Sequence, residues 1–123
     1  MASTYFFVVL AITVGYVLVK RANLIPQKEA TARLKEGALV IDVRSRQEYE
    51  SGHLSQAVNI PLDDLVTLLP QQVKDKNQVL LLHCATGIRS GVAKKRLEAA
   101  GYKNAFNLGS YDRALKILSG RHS

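Results

Sequence analysis

The run Val79-Leu80-Leu81-Leu82-His83 carries no polar alternation, and it passes through Cys84 and a short Gly-, Arg- and Ser-bearing stretch into a helix-like segment, Gly91 to Ala100. An apolar run this short suits a strand buried on both faces, as at the centre of a parallel sheet. A strand that feeds at once into a helix leaves a tight turn whose backbone N–H groups converge. The positive end of the helix dipole lies behind that point. A thiol at the head of the turn loses its proton more readily than a free one, whose pKa is about 8.5. Cys84 is the single cysteine of the chain. Such a residue is commonly a small, inert hydrophobe; its place between strand and helix gives it a chemical reading here.

The remainder alternates in the same way. Asn23 to Gln27 reads as a linker with an edge strand at Leu24-Ile25. Pro26 introduces a helix through Glu36, with Glu29 and Arg33 paired one turn apart and Gly37 as its stop. Ala38 to Asp42 and Val58 to Ile60 are short strands, separated by a helical turn over Gln47 to Ser51. Leu62, Leu65, Val66 and Leu69 fall on one helical face, Asp63 and Asp64 sit in the first turn where the dipole favours them, and Pro70 is predicted to end that helix. Ala93, Leu97 and Ala100 give the helix after Cys84 its buried face, with Gly101 as cap. Ala105 to Leu108 is a further strand, and Tyr111, Ala114, Leu115 and Leu118 stripe a last helix. This order predicts an α/β fold, a parallel sheet flanked by helices on both faces. Ligand sites in such sheets lie at the carboxyl ends of the strands, where Asp42 and Cys84 fall.

Loop size narrows the chemistry. Cys84 and Arg89 bracket the turn Ala85-Thr86-Gly87-Ile88. Cysteine phosphatases use a Cys-to-Arg loop one residue longer, a ring that accepts a tetrahedral phosphate; a shorter ring suits a smaller guest, such as a terminal sulfur. Cys84, Gly87, Arg89 and Ser90 resemble the active loop of the rhodanese family of sulfurtransferases, Cys-x-x-Gly-x-Arg/Thr followed by a small residue. Upstream, Val40-Ile41-Asp42-Val43-Arg44, Glu48-Tyr49, Gly52-His53-Leu54 and Ala57-Val58-Asn59-Ile60-Pro61 resemble the family's other signature, and Gly101 to Gly109 resembles its last strand and turn. The resemblance covers residues 24 to 118. Gln56, Ser110 and Ala114 depart from the family pattern, where Gly, Gly and Trp are usual.

The resemblance implies a single rhodanese-like domain over residues 22–118, with a tail at 119–123. It also implies an enzyme that moves a sulfane sulfur from a donor such as thiosulfate to cyanide or a thiol through a Cys84 persulfide, with a protein as a further candidate acceptor. The amides of Ala85, Thr86, Gly87, Ile88, Arg89 and Ser90 would stabilise the anionic sulfur, with Gly87 supplying a backbone angle forbidden to side chains. Arg89 either attracts an anionic donor or braces the loop through a carboxylate. Thr86 and Ser90 could hydrogen-bond the persulfide, and Ser90 has the alternative of capping the helix. Asp42 and Arg44 are read as braces of the loop, His53 as satisfying a turn, and His83 as pointing away from Cys84 because strand neighbours alternate. A non-enzymatic sulfur-binding module and a phosphatase or arsenate reductase of related fold are the alternatives.

One cysteine excludes an internal disulfide, and His53, His83 and His122 are too scattered for a metal site; no cofactor is expected. The net charge of +7 is spread, with Lys94-Lys95-Arg96 the one dense run, and aromatics are few, which argues against nucleic-acid binding. From Ala2 to Val19 no residue is charged. That length of helix spans about 27 Å, close to a hydrocarbon core of about 30 Å. With no basic residue before Lys20 and no cleavage-like site, residues 1–21 read as a retained N-terminal transmembrane helix with a basic flank. Lys20-Arg21 would then place the catalytic domain in the cytoplasm, on a single-pass membrane protein.

Overall fold

A computed structural model describes residues 2–120 of the chain. The elements run α1 (Ala2–Ala22), α2 (Gln27–Lys35), β1 (Leu39–Asp42), α3 (Arg46–Ser51), β2 (Ala57–Asn59), a 3-10 turn at Leu62–Asp64 leading into α4 (Leu65–Gln72), β3 (Leu80–His83), α5 (Ile88–Ala99), β4 (Ala105–Gly109) and α6 (Tyr111–Leu118). The strands are parallel and lie in the order β2-β1-β3-β4. The chain steps from β1 out to β2 and then returns past β1 to β3. The strand order therefore reverses between β1 and β3, where a crevice opens at the carboxyl ends. In the register there, Asp42 lies beside His83.

Alternation along the strands divides the core into two layers. Ile41, Leu80, Leu82 and Cys84 pack with Leu65, Leu69, Ala93 and Leu97 of α4 and α5. Val40, Leu81 and Leu108 pack with Ala30, Ala114 and Ile117 of α2 and α6. The leucines of β3 are wholly buried, each contributing roughly 1.5–3 kcal/mol against leaving it exposed. Tyr102 is buried as well and its hydroxyl donates to the Val73 carbonyl at 2.7 Å. Leu24 bridges to Asn107 and the Ile25 N–H donates to the Asn107 carbonyl at 2.9 Å, so the expected edge pairing forms against β4.

Four local expectations are corrected. Pro70, sixth of the eight residues of α4, sits inside the helix, which continues to Gln72; the backbone bond it would have donated to Val66 is forfeited, and the buried Leu65 and Leu69 hold the helix down. Arg33 pairs with Glu36 at 3.7 Å rather than with Glu29, which stays in the first turn of α2 beside the positive helix end. Leu115 is 42% exposed and the inward face of α6 is carried by Ala114 and Ile117. Helix α5 starts at Ile88 instead of Gly91.

The N-terminal segment is helical, yet among the described residues no helix is long and apolar enough to cross a membrane. The side chains described on α1 run from residue 3 to residue 18, about 24 Å of helix at 1.5 Å per residue. They include Phe6, Phe7, Ile12 and Leu18, each at least 60% exposed. The side chains of Lys20 and Arg21, and His122, lie outside what is described.

Candidate active site

β3 delivers Cys84 to the carboxyl edge of the sheet with its side chain on the α5 face. The turn proper is short, because Ile88, Arg89 and Ser90, expected as loop, form the first turn of α5. Their N–H groups are among those a helix leaves without partners of its own. Gly87 is the N-cap, with φ +96°, and Ser90 therefore does not cap. A Cβ on Gly87 would sit 3.4 Å from the backbone of Gly109, itself at φ +101° and 3.1 Å from a Leu24 methyl by the same construction. The two glycines let the turn and the end of β4 lie back to back. Hydrogen bonds fix that contact. The Cys84 N–H donates to the Gly109 carbonyl at 3.2 Å and the Tyr111 N–H to the Ala85 carbonyl at 3.2 Å. Asn107 Nδ2 donates to the Gly87 carbonyl at 3.1 Å while its Oδ1 accepts from the Gly109 N–H at 2.9 Å.

The sulfur is enclosed by this frame. Cys84 is fully buried, and its Sγ accepts from the Gly87 N–H at 3.0 Å, the Ser90 N–H at 3.4 Å and the Ser90 hydroxyl at 3.5 Å. Burial pushes the thiol up, but the Ser90 hydroxyl, the Ser90 and Gly87 N–H groups and that of Thr86 outweigh it, and the net direction is down. These are N–H and O–H dipoles, the groups that would hold an anion on the same sulfur. Thr86 takes part through its backbone, for its side chain is exposed, like those of Ala85 and Ile88.

Arg89 is a brace. Its Nη1 and Nη2 donate to Glu48 Oε1 and Oε2 at 2.7 and 2.9 Å, a bidentate pair from α5 to α3. Glu48 is fixed in turn by a capping box, in which its N–H donates to Ser45 Oγ and its carboxylate accepts the Ser45 N–H. The Arg89 guanidinium, with the Ser45 N–H, holds the Glu48 carboxyl down to about 2.

Asp42 and Arg44 stand at one remove from the catalytic turn, Asp42 beside His83 and Arg44 over Tyr111. Asp42 shares its face of the sheet with His83, the face opposite Cys84. Its carboxylate accepts from Arg44 Nε at 3.0 Å, Arg44 Nη2 at 2.8 Å and the Arg44 N–H at 2.9 Å, and Arg44 Nη2 also donates to the Gly52 carbonyl. The hydrogen bond Arg44 donates to Asp42 raises the Arg44 pKa against the opposing effect of burial. The Arg44 guanidinium lies 4.9 Å over the ring of Tyr111, whose N–H donates to the Ala85 carbonyl of the turn. His83 is fully buried, with Nδ1 3.3 Å from the Cys84 carbonyl and Nε2 3.8 Å from Asp42. Desolvation pushes its pKa down, although Asp42 opposes this. His53 lies in its turn as expected, stacked on Tyr49 and bonded to the Tyr49 carbonyl. Among the described residues no cluster of His, Cys, Asp and Glu is placed to hold a metal ion.

Two residues that matter to the site had no role assigned from sequence, Glu48 and Asn107. The signal for Glu48 was the Ser45-x-x-Glu48 pattern; for Asn107 it was a polar residue between Phe106 and Leu108 of a buried strand. Ser110 stands without strain where the family usually has Gly, at φ −70°, and caps α6 by accepting the Arg113 N–H.

A family model described as "Rhodanese-like domain" matches residues 26–114. The thiosulfate sulfurtransferase PspE of Escherichia coli (strain K12) is 38% identical over 69 residues, 56% of this chain and 66% of the relative. The tRNA uridine(34) hydroxylase of Sodalis glossinidius is 36% identical over 75 residues, 58% of this chain and 21% of the relative. The chain thus spans about a fifth of that hydroxylase and just under two thirds of PspE. Among solved structures, a rhodanese with anions from E. coli aligns with a TM-score of 0.60 at 34% identity, over 63% of this chain and 91% of that one. The human single-domain sulfurtransferase TSTD1 aligns with a TM-score of 0.66 at 26% identity, over 82% of this chain and 98% of that one.

Proposed function

The chain belongs to the rhodanese-like domain family, and from that premise we propose that it is a sulfurtransferase working through a persulfide on Cys84. The observation that carries the reading is the buried Sγ at the focus of the Gly87 and Ser90 N–H groups and the Ser90 hydroxyl. The Cys84 thiolate attacks the outer sulfur of a sulfane donor. The S–S bond of the donor breaks, the Sγ–S bond forms, and with thiosulfate the leaving group is sulfite, which departs with the electron pair. Cyanide or a thiolate then attacks the outer sulfur and leaves as thiocyanate or a hydropersulfide, returning the Cys84 thiolate. No net oxidation occurs. At each stage the terminal sulfur is anionic, and fixed N–H dipoles stabilise it without reorganising.

The names of PspE and TSTD1 point to the same chemistry in relatives. The mass of Cys84 after separate exposure to thiosulfate and to 3-mercaptopyruvate tests the proposal. A gain of one sulfur from either is the expected result; no gain from any sulfane donor would leave only a binding module. Phosphate-ester hydrolysis by the unmodified protein would overturn the assignment.

Membrane attachment through residues 2–19 is a second, separate proposal. It is supported by the uncharged sequence and by the large apolar side chains that α1 leaves exposed on all sides. The pair Lys20-Arg21 would keep the domain on the cytoplasmic side. The full chain is expected to resist extraction by salt and alkali and to dissolve in detergent. Removing residues 1–21 is expected to release an active domain, since the proposed site residues all lie beyond Ile41. Recovery of the full chain in the soluble fraction would refute the attachment.

A further inference from the structure

Very little chain separates α1 from the catalytic turn. The helix ends at Ala22, and two residues on Leu24 bridges to Asn107 of β4. The side chain of the same Asn107 donates to the Gly87 carbonyl of the turn at 3.1 Å. From Val19, where the uncharged stretch stops, the chain reaches at most about 12 Å to Leu24, three helical steps and then two extended ones. Wherever α1 is held, the β4 edge and the turn are held beside it.

The part of α5 that borders this tether is unusually apolar for an outer surface. Ile88, Val92 and Lys95 fall one turn apart in a single stripe. Ile88 and Val92 are 57% and 38% exposed, although the same helix already buries Ala93 and Leu97 against the sheet. The stripe lines a cleft together with Tyr16 and Asn23 at the end of α1. Within the run Lys94-Lys95-Arg96, Lys94 pairs with Glu98 and Arg96 with Asp63, while Lys95 makes no ion pair among the described residues. Resting on the membrane attachment proposed above, we infer that this stripe of α5 docks on the surface of the bilayer that holds α1, with anionic headgroups as the partner of Lys95. Tyr16 is an aromatic of the kind that settles at the boundary of membrane and water, and the short tether keeps the stripe at that depth. Ile88 and Val92 enter the outer edge of the acyl chains and Lys95 extends to the phosphates, as on a helix lying in the interface. Ile88 also belongs to the turn around Cys84, so docking sets that turn against the membrane surface.

The chain contains no Trp, so a single introduced one reports its own surroundings. Full-length Ile88→Trp and Val92→Trp are placed in vesicles of phosphatidylcholine and phosphatidylglycerol whose acyl chains are brominated near the headgroup. Each reporter should be quenched about twofold or more, as expected of a side chain in the outermost 5–10 Å of the apolar layer. Leu115→Trp, on α6 across the sheet from α5, should keep its emission. Adding Lys95→Glu should lower the ratio of quenched to unquenched lifetime amplitudes about fivefold, the weight of one basic residue at an anionic surface. Should Ile88→Trp disturb the turn, Val92→Trp decides the matter from outside it. Vesicle-bound chains whose α5 reporters are quenched no more than Leu115→Trp would overturn the inference and leave the attachment standing. Reporters shielded from the brominated lipid only as chain density in the vesicle rises would assign the stripe to a second copy of the chain, and would overturn it too. Chains that fail to float with the vesicles would remove the attachment, and this inference with it.

Discussion

β1 and β3 end side by side, yet the two faces of the sheet there are made of opposite materials. On the α5 face the Cys84 sulfur meets N–H and O–H dipoles with no counter-charge of their own. On the other face Asp42 and Arg44 meet as full charges at 2.8 Å, with the His83 ring alongside. Dipoles aimed at an uncharged point can receive a new anion; charges already matched cannot, and they serve instead to fix the chain. Burial is equally deep on the two faces, so depth alone does not mark a reactive group.

The largest test of this contrast removes the sulfur. Cys84→Ser should lower transfer by about a thousandfold or more, the scale seen when a nucleophile is removed, with the melting temperature little changed. Comparable turnover in the variant would break the persulfide mechanism. Next, one glycine inserted between Gly87 and Ile88 spreads the donors apart. Transfer should fall about a hundredfold, as misplacements of about 1 Å do, and binding of phosphate or vanadate should become measurable by titration calorimetry. Retained transfer would show that ring size is not what selects the guest.

Asp42→Asn acts on the other face. It leaves a buried guanidinium without its carboxylate and should cost about 3 kcal/mol in denaturant unfolding, while the folded fraction keeps its thiol reactivity. A variant of normal stability with an unreactive Cys84 would merge the two faces into one device.

Ser90→Ala removes one donor to the sulfur. The Cys84 pKa is held down in the folded protein, so its thiolate is present above that value and is lost as pH falls through it. Without the hydroxyl the pH profile of alkylation by iodoacetamide should move to higher pH, and the rate near neutrality should fall about tenfold, in keeping with a hydrogen bond to a charged group. An unmoved profile would mean that the backbone amides suffice. The smallest effect concerns Glu48, whose carboxyl is held at about 2 against an ordinary 4.5. A depressed carboxyl contributes stability that is complete above pH 4.5 and lost as pH falls towards 2. The pair is half-exposed, which keeps that contribution small. Acid unfolding of Glu48→Gln should show a shallower pH dependence across this window, and an identical curve would deny the pair any part in acid stability.

The strands were legible in the sequence to within one residue at each end, because each is a short apolar run closed by a turn residue. The start of α5 was not. Ile88-Arg89-Ser90 carries no side-chain cap, and a glycine at positive φ starts the helix instead. At the site, Cys84, Gly87 and Ser90 could be found from local spacing. Glu48 and Asn107 could not, since their partners Arg89 and Gly87 lie 41 and 20 residues away. Asp42 reads as a brace of the turn without the residue it stands beside, and strand parity held that detail. It pairs with His83, so it had to share the face that Cys84 avoids.

Cys84 is the single thiol of the chain, and its sulfur is fully buried under its own turn. A protein built in this way has one seat for a transferred sulfur. On the proposed persulfide mechanism donor and acceptor must use that seat in succession, and between visits the chain holds one sulfur or none. Initial-rate plots at several fixed donor concentrations should then give parallel lines, and donor supplied without acceptor should be consumed to one equivalent per chain and no further.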